Sequence, residues 1–271
     1  MESLRNIPLD VVVHAAGATK CRRKEDFYTI NTLGTQHLID ALEALYPDTA
    51  KPRFIFVSSL SVVNSIPSER LGSATAYGDS KYRAEEIVRR SPLPYVILRP
   101  TGVYGPREKD YFLMVKSIRQ HIDFSVGFKP QRLTFVYVSD VVQAIVKSIT
   151  QPAEKVVCHT FTLSDGAEYS SETFSDLIIS ALEETEGRRP FVLRLRLPLF
   201  VLRVVCFFGE WYNRLTGRLT TLNADKYNIL SQRDWRCDIS SSRELLGYSP
   251  EVLLAEGVRK SVKWYKDNKW I

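Results

Sequence analysis

Runs of apolar, β-branched residues alternate with amphipathic stretches along the first half of the chain. Residues 10–16, DVVVHAA, form an uninterrupted apolar run, the pattern of a buried parallel strand. Residues 28–45 follow with Ile30, Leu38, Ala41, Leu42 and Leu45 at helical spacing, and Pro47 and Pro52 close that element. Residues 53–59, RFIFVSS, predict a second buried strand. Residues 60–75, rich in Ser, Pro and Gly, predict a loop. A helix is expected from Tyr77 to about residue 90, and a third strand over 95–99, YVILR, ended by Pro100. Strand and helix alternating at this pace predict right-handed βαβ units and a parallel sheet. A helix over 111–121, a strand over 133–138 and a helix over 140–150 extend the series.

After about residue 151 the pattern changes. Residues 156–163 alternate as a strand does, and Asp165-Gly166 marks a turn. Helices are expected over 171–186, over 240–246 up to Gly247, and over 254–269. Residues 190–234 mix apolar helix with loop. The division predicted is 1–150, a partial dinucleotide-binding domain with the catalytic residues, and 151–271, mainly a substrate-binding region interleaved with the first.

The most apolar run is 198–209, PLFVLRVVCFFG. It is too short to span a bilayer and contains Arg203. A helix packed on the domain is expected; the alternative is a helix lying in a membrane interface, because Arg194, Arg196, Arg203 and Arg214 surround it. The net charge of +6 is spread along the chain, with no basic block and no RNA-type aromatic motif, so nucleic acid is not an expected partner. The cysteines Cys21, Cys158, Cys206 and Cys237 form no C-x-x-C pair or zinc spacing, so no metal is expected. With no signal peptide evident, a reducing cytoplasm is the expected compartment.

The chemistry centres on 76–86, AYGDSKYRAEE. Tyr77 and Lys81 stand one helical turn apart, on one face. A Lys ammonium beside a phenol favours the phenolate, so Lys81 is expected to lower the Tyr77 pKa and fit it for proton transfer. The same spacing recurs at Tyr265 and Lys269, so neighbours must decide. Ser58 and Ser59 end the second strand, where a hydroxyl can hold a substrate oxygen. His14, Ala15, Ala16 and Gly17 end the first strand, as a tight turn or as a surface for a flat ligand. Asn31 lies inside a helix, where Asn is mildly unfavourable. Residues 99–106, RPTGVYGP, end the third strand, as a turn or a ligand border.

Together these pieces resemble the extended short-chain dehydrogenase/reductase family, which includes nucleotide-sugar epimerases and dehydratases, dihydroflavonol reductases and 3β-hydroxysteroid dehydrogenases. The matching stretches are VVVHAAG at 11–17, NTLGTQHLIDA at 31–41, FIFVSSLSVV at 54–63, YGDSK at 77–81, LRPTGVYGP at 98–106 and FVYVSDVVQAI at 135–145. LGYSP at 246–250 resembles the family's C-terminal end. The resemblance implies an α/β fold with a Rossmann-type parallel sheet and a smaller C-terminal α/β substrate-binding region. It implies Tyr77 as catalytic acid/base, Lys81 holding the nicotinamide ribose, Ser59 as the active-site hydroxyl with Ser58 as alternate, and Asn31 as the helix Asn of the site. His14, Ala15 and Ala16 would line the dinucleotide, NAD or NADP, and Pro100, Thr101 and Val103 the nicotinamide. Asp140 is expected to be structural.

One part of the family pattern is missing. The family opens with a strand and a G-x-x-G-x-x-G loop that holds the pyrophosphate, and this sequence contains no such loop. The HAAG strand normally comes fourth. A truncated or misplaced start is therefore expected in preference to a complete product, since half of a doubly wound sheet leaves an apolar strand at its edge. Weak cofactor binding and aggregation are the expected consequences. The function expected is NAD(P)-dependent oxidation or reduction of a secondary alcohol or ketone, a small-molecule substrate, with a homodimer as an option. The alternatives are an epimerase using the same Ser, Tyr and Lys, and a cofactor-free scaffold, which would have no need of all three. Leu60 and Ser61 stand where the family's dehydratases place an acidic pair. Residues 195–208 suit an apolar substrate, whereas Arg132, Arg233 and Arg236 would suit a sugar nucleotide.

Overall fold

The computed structural model describes residues 8–46, 51–66, 68, 74–216 and 224–271, with the side chains at 210, 212–216 and 224–226 excepted. Its centre is a four-stranded, all-parallel sheet in the order β1-β2-β3-β7. These strands are β1 (Val11–His14), β2 (Arg53–Val57), β3 (Tyr95–Pro100) and β7 (His159–Leu163). Val12 faces Phe54, Phe54 faces Tyr95, and Val96 faces His159 in register. β2 and β3 are buried on both faces, which is why their sequences are continuously apolar. Two-stranded parallel pairs β4-β6 and β5-β8 flank the sheet, made by β4 (Gly102–Tyr104), β5 (Ile122–Val126), β6 (Phe135–Tyr137) and β8 (Leu193–Leu197).

Helices cover both faces of the sheet. On one, Ile39 and Leu42 of α2 (Gly34–Leu45) and Ala84 and Val88 of α3 (Ala76–Arg90) pack on Phe54, Phe56 and Ile97. On the other, Val141 and Ala144 of α5 (Val138–Thr150) pack on Ile55, Val96 and Leu98. A third core joins α4 (Asp110–Arg119), α7 (Ser171–Glu186) and α11 (Leu254–Asp267) to the β4-β6 pair, with α8 (Leu199–Thr216), α9 (Ala224–Ser231) and α10 (Ser240–Glu244) between α7 and α11 in the chain. Asp140, expected to be structural, accepts the N–H groups of Glu251 and Val252 at 3.2 Å each and ties the residues that follow LGYSP to α5.

Several sequence expectations are corrected. Residues 60–75 are not all loop: Leu60–Ser65 is a 3-10 helix with Val62 and Val63 buried. The helix expected over 28–45 begins earlier, with α1 (Lys24–Phe27), and contains a π-helical turn, Tyr28–Leu33, before α2. The strand expected over 156–163 starts only at His159, because α6 (Ala153–Val156) and a left-handed Cys158 precede it. β4, β5 and β8 were not expected. Pro47 lies outside the described residues.

Among the described residues β1 pairs only with β2, and Val13 is 41% exposed.

Candidate functional site

The site forms where β2 and β3 end and α3 begins. Thr75 caps α3, its Oγ1 accepting the Gly78 N–H at 2.9 Å. Gly78 lets the helix start lie against the 3-10 helix: a Cβ there would stand 2.5 Å from the Ser61 carbonyl oxygen, closer than two such atoms can approach. That approach brings the Tyr77 hydroxyl to a hydrogen bond with the Ser59 side chain. Ser59 is itself fixed as the cap of the 3-10 helix, its Oγ accepting the Ser61 N–H at 3.2 Å. The Phe27 ring packs 6.0 Å from the Tyr77 ring.

Lys81 lies one turn further along, buried, donating to the Val57 carbonyl at 2.7 Å and standing 4.4 Å over the Phe56 ring. Burial lowers its pKa to about 8, although Glu85 pulls the other way. The expectation that Lys81 lowers the Tyr77 pKa is not met. Burial pushes the phenol above its ordinary value, and the Ser59 hydrogen bond opposes this only in part. In this state Tyr77 is a protonated donor.

The second Tyr-x-x-x-Lys does something different. Tyr265 is a core residue, its hydroxyl donating to the carbonyls of Gly105 and Glu108 at 3.2 and 3.1 Å, and Lys269 lies beyond the end of α11.

Ser58 and Ser59 separate clearly. The Ser58 hydroxyl donates to Glu85 Oε1 at 2.6 Å, although the residue also borders the cavity. Glu85 is fully buried and receives Arg99 Nε at 2.9 Å, Arg99 Nη2 at 2.7 Å and Arg89 Nη2 at 2.9 Å. This carboxylate ties together the end of β2, the middle of α3 and the end of β3. Ser58 belongs to that network, which leaves the Ser59 hydroxyl as the one beside Tyr77.

Asn31 sits on the π turn, a device often found at functional sites. Its Oδ1 accepts the Ala18 N–H at 2.7 Å, and its Nδ2 donates to Ala18 O at 3.0 Å and to Ser80 Oγ at 2.9 Å. It pins the loop after β1 to α3 and is set behind Gly17 and Ala18 of the cavity wall. His14 is also off the cavity wall. Thr35 donates to the Asn31 carbonyl at 2.7 Å, so His14 Nε2–H donates to Thr35 Oγ1 at 2.9 Å, and the ring stacks 5.5 Å from Phe56. Burial, aided by Lys81, lowers its pKa to about 4. Ala15 lines the cavity and Ala16 does not.

A cavity of about 790 Å³ opens over Ser59, Tyr77 and Lys81. Pro100, Thr101 and Val103 border it. The rest of the wall was not foreseen: Met114 from α4, Phe124 and Val126 from β5, Leu133, Phe174 from α7, and Trp235. These positions are scattered in sequence and meet only through the β5-β8 pair and the third core. Among the described residues the only cation on the wall is Lys81, and Glu108 and Asp110 also line it. The three arginines expected to suit a sugar nucleotide are elsewhere: Arg233 donates to the Val126 and Lys129 carbonyls at 3.0 Å, Arg236 pairs with Asp234 at 2.6 Å, and Arg132 is exposed and off the wall.

The residues present fit the nicotinamide and ribose end of a dinucleotide. Thr101 Oγ1 is buried without a partner at the cavity border. Gly17 leaves room beside Lys81, where a Cβ would stand 3.6 Å from Nζ and 3.0 Å from Asn31 Oδ1. For the pyrophosphate end this sequence carries no glycine-rich loop.

Comparison with known proteins agrees with this geometry. The model of the NAD dependent epimerase/dehydratase family matches residues 1–163. The chain is 27% identical to UDP-glucose 4-epimerase of Vibrio cholerae, over 93% of this chain and 76% of that protein. It is 25% identical to ceramide reductase of Caulobacter vibrioides, over 97% of this chain and 76% of that protein. It superposes on UDP-glucuronic acid 4-epimerase from Bacillus cereus in complex with NAD with a TM-score of 0.70 at 21% identity, covering 98% of this chain and 77% of that one.

Proposed function

The chain belongs to the NAD dependent epimerase/dehydratase family, and on that premise we propose that it is a nicotinamide-dependent oxidoreductase acting on a secondary alcohol or ketone with a largely apolar body. The observation that carries this reading is the cavity itself: Ser59, Tyr77 and Lys81 lie against its wall, which among the described residues is otherwise largely apolar and carries two carboxylates and no arginine. Among the described residues of the wall, a diphosphate on the substrate would meet Glu108 and Asp110, the latter paired with Lys20, with Lys81 as the one cation, a weakly favourable setting for two phosphates.

The Ser59 hydroxyl holds the substrate oxygen. Tyr77, kept protonated by burial, donates its proton to that oxygen as a ketone is reduced, and takes one back in the reverse direction. Lys81 is held by the Val57 carbonyl, and its remaining ammonium hydrogens would serve the ribose hydroxyls. Bound nicotinamide supplies or accepts the hydride. Thr101 and Gly17 would receive that end of the cofactor. Asn31 and the Glu85 network position these groups without touching the reacting atoms. We further read 1–150 as carrying the proton-transfer residues, with 151–271 adding Phe174, Leu230 and Trp235 to the substrate side.

An epimerase would use the same three side chains, and a UDP-glucose 4-epimerase is among the relatives. The two activities part on the fate of the hydride. With a substrate deuterated at the carbinol carbon and saturating oxidised cofactor, the oxidoreductase reading expects deuterium to accumulate in reduced nicotinamide. Inversion of the carbinol with no net reduced cofactor would overturn it in favour of the epimerase.

A further inference from the structure

The helix α8 (Leu199–Thr216) is apolar on two opposite sides. Leu202 and Cys206 face the fold and are buried. Phe200, Val204, Phe207, Phe208 and Trp211 follow the i, i+4, i+7, i+8, i+11 pattern, which confines them to an arc of about 100° on the side away from Leu202 and Cys206. All five are exposed, Phe200 at 70%, Phe207 at 67% and Trp211 at 57%. A helix on the surface of a water-soluble domain normally shows charged and polar groups on that side. A contiguous apolar patch marks an interaction surface.

The surroundings indicate what covers it. The N–H of Gly127 donates to the Leu197 carbonyl at 2.8 Å, which places exposed Phe128 and Lys129 beside the start of α8. Arg203, also exposed, flanks the stripe on the edge nearest Phe207. The ring is therefore aromatic and cationic, with Trp among the aromatic residues, the composition that sits at the headgroup level of a lipid surface. A net charge of +6 acts in the same direction. No helix among the described residues is long and apolar enough to cross a membrane. The helix is also linked to the cavity through the chain: β8 runs into α8 and pairs with β5, whose Phe124 and Val126 line the cavity.

We propose that α8 docks in the headgroup region of an anionic lipid bilayer, with the Phe200–Trp211 stripe facing the acyl chains and Arg203 and Lys129 at the phosphates. The β5 wall of the cavity then lies beside the membrane, a position suited to apolar substrates drawn from it.

Flotation of the full chain with phosphatidylcholine vesicles, with and without phosphatidylserine, tests this independently of any catalytic role. Binding should require phosphatidylserine and weaken in high salt. Phe207→Glu should lower the partition coefficient about tenfold or more, with the far-ultraviolet circular dichroism unchanged. Trp211→Phe keeps the apolar surface and should still bind, but should lose most of the tryptophan quenching produced by brominated lipids. The proposal is overturned if the wild-type chain never floats, or if quenching is the same in Trp211→Phe. It is equally overturned if Phe207→Glu leaves binding intact, or if it converts a dimer to a monomer in sedimentation while no vesicle binding exists.

Discussion

Replacing Glu85 by Leu removes the one carboxylate that meets Ser58, Arg99 and Arg89. Arg99 has a side chain only 9% exposed, so the substitution removes the carboxylate that its Nε and Nη2 meet from a buried guanidinium. Breaking a buried pair from one side costs about 3–5 kcal/mol, most of it the desolvation of the remaining charge. The loss of the Ser58 hydrogen bond adds about 1 kcal/mol. For a chain of this size, 4 kcal/mol corresponds to a drop in Tm on the order of 10 °C. The double variant Glu85→Leu/Arg99→Met removes both charges and keeps apolar volume, so it should recover a large part of the loss. Urea unfolding followed by circular dichroism reads the wild type, Glu85→Leu, Arg99→Met and the double variant. If Glu85→Leu costs less than about 1 kcal/mol, or if the double variant falls below the sum of the single ones, the network does not hold the strand ends as described.

Two further outcomes follow from the site. The folded chain resists a proton on His14 until about pH 4, while the unfolded chain takes one near 6.5. Stability should therefore fall as pH is lowered across that window, by about 3 kcal/mol over its full span. His14→Gln should flatten that slope in acid titrations of unfolding, and an unchanged slope would assign the acid sensitivity to other groups. Gly78→Ala should cost about 1–3 kcal/mol, because the new Cβ meets a backbone oxygen. It should lower kcat beyond its effect on stability by moving Tyr77 off Ser59; a purely thermal effect with normal kcat would contradict the role given to that approach.

Much of this arrangement is legible in the sequence because buried parallel strands are continuously apolar. β1, β2 and β3 stand out for that reason, and the hydroxyl, phenol and ammonium follow at strand ends and a helix start. Other features depend on tertiary quantities. The spacing of Tyr77 and Lys81 shows a charge near a phenol, but not the burial that outweighs it. Glu85 reads as one of two surface acids in A-E-E, and only the sheet beneath α3 makes it a buried counter-ion. Asn31 is aimed by a π turn, which residue type does not announce, and so it faces Ala18 instead of the cavity. β8, LRLRL, does alternate as a strand should, but its arginines and the apolar run after it obscure the signal. β4 lies within RPTGVYGP, where Pro and Gly suggest only a turn. The cavity wall joins residues more than a hundred positions apart, so the absence of arginine from its described residues could not be read along the chain.

The account rests on Tyr77 as the proton donor of a nicotinamide-dependent reaction. Its most direct test is turnover of apolar secondary alcohols and their ketones, followed by nicotinamide absorbance at saturating cofactor, in the wild-type chain and in Tyr77→Phe. The account predicts reduction by the wild-type chain and a loss of kcat of about 100-fold or more in Tyr77→Phe, with cofactor affinity by calorimetry nearly unchanged. Equal turnover in the two chains would contradict it.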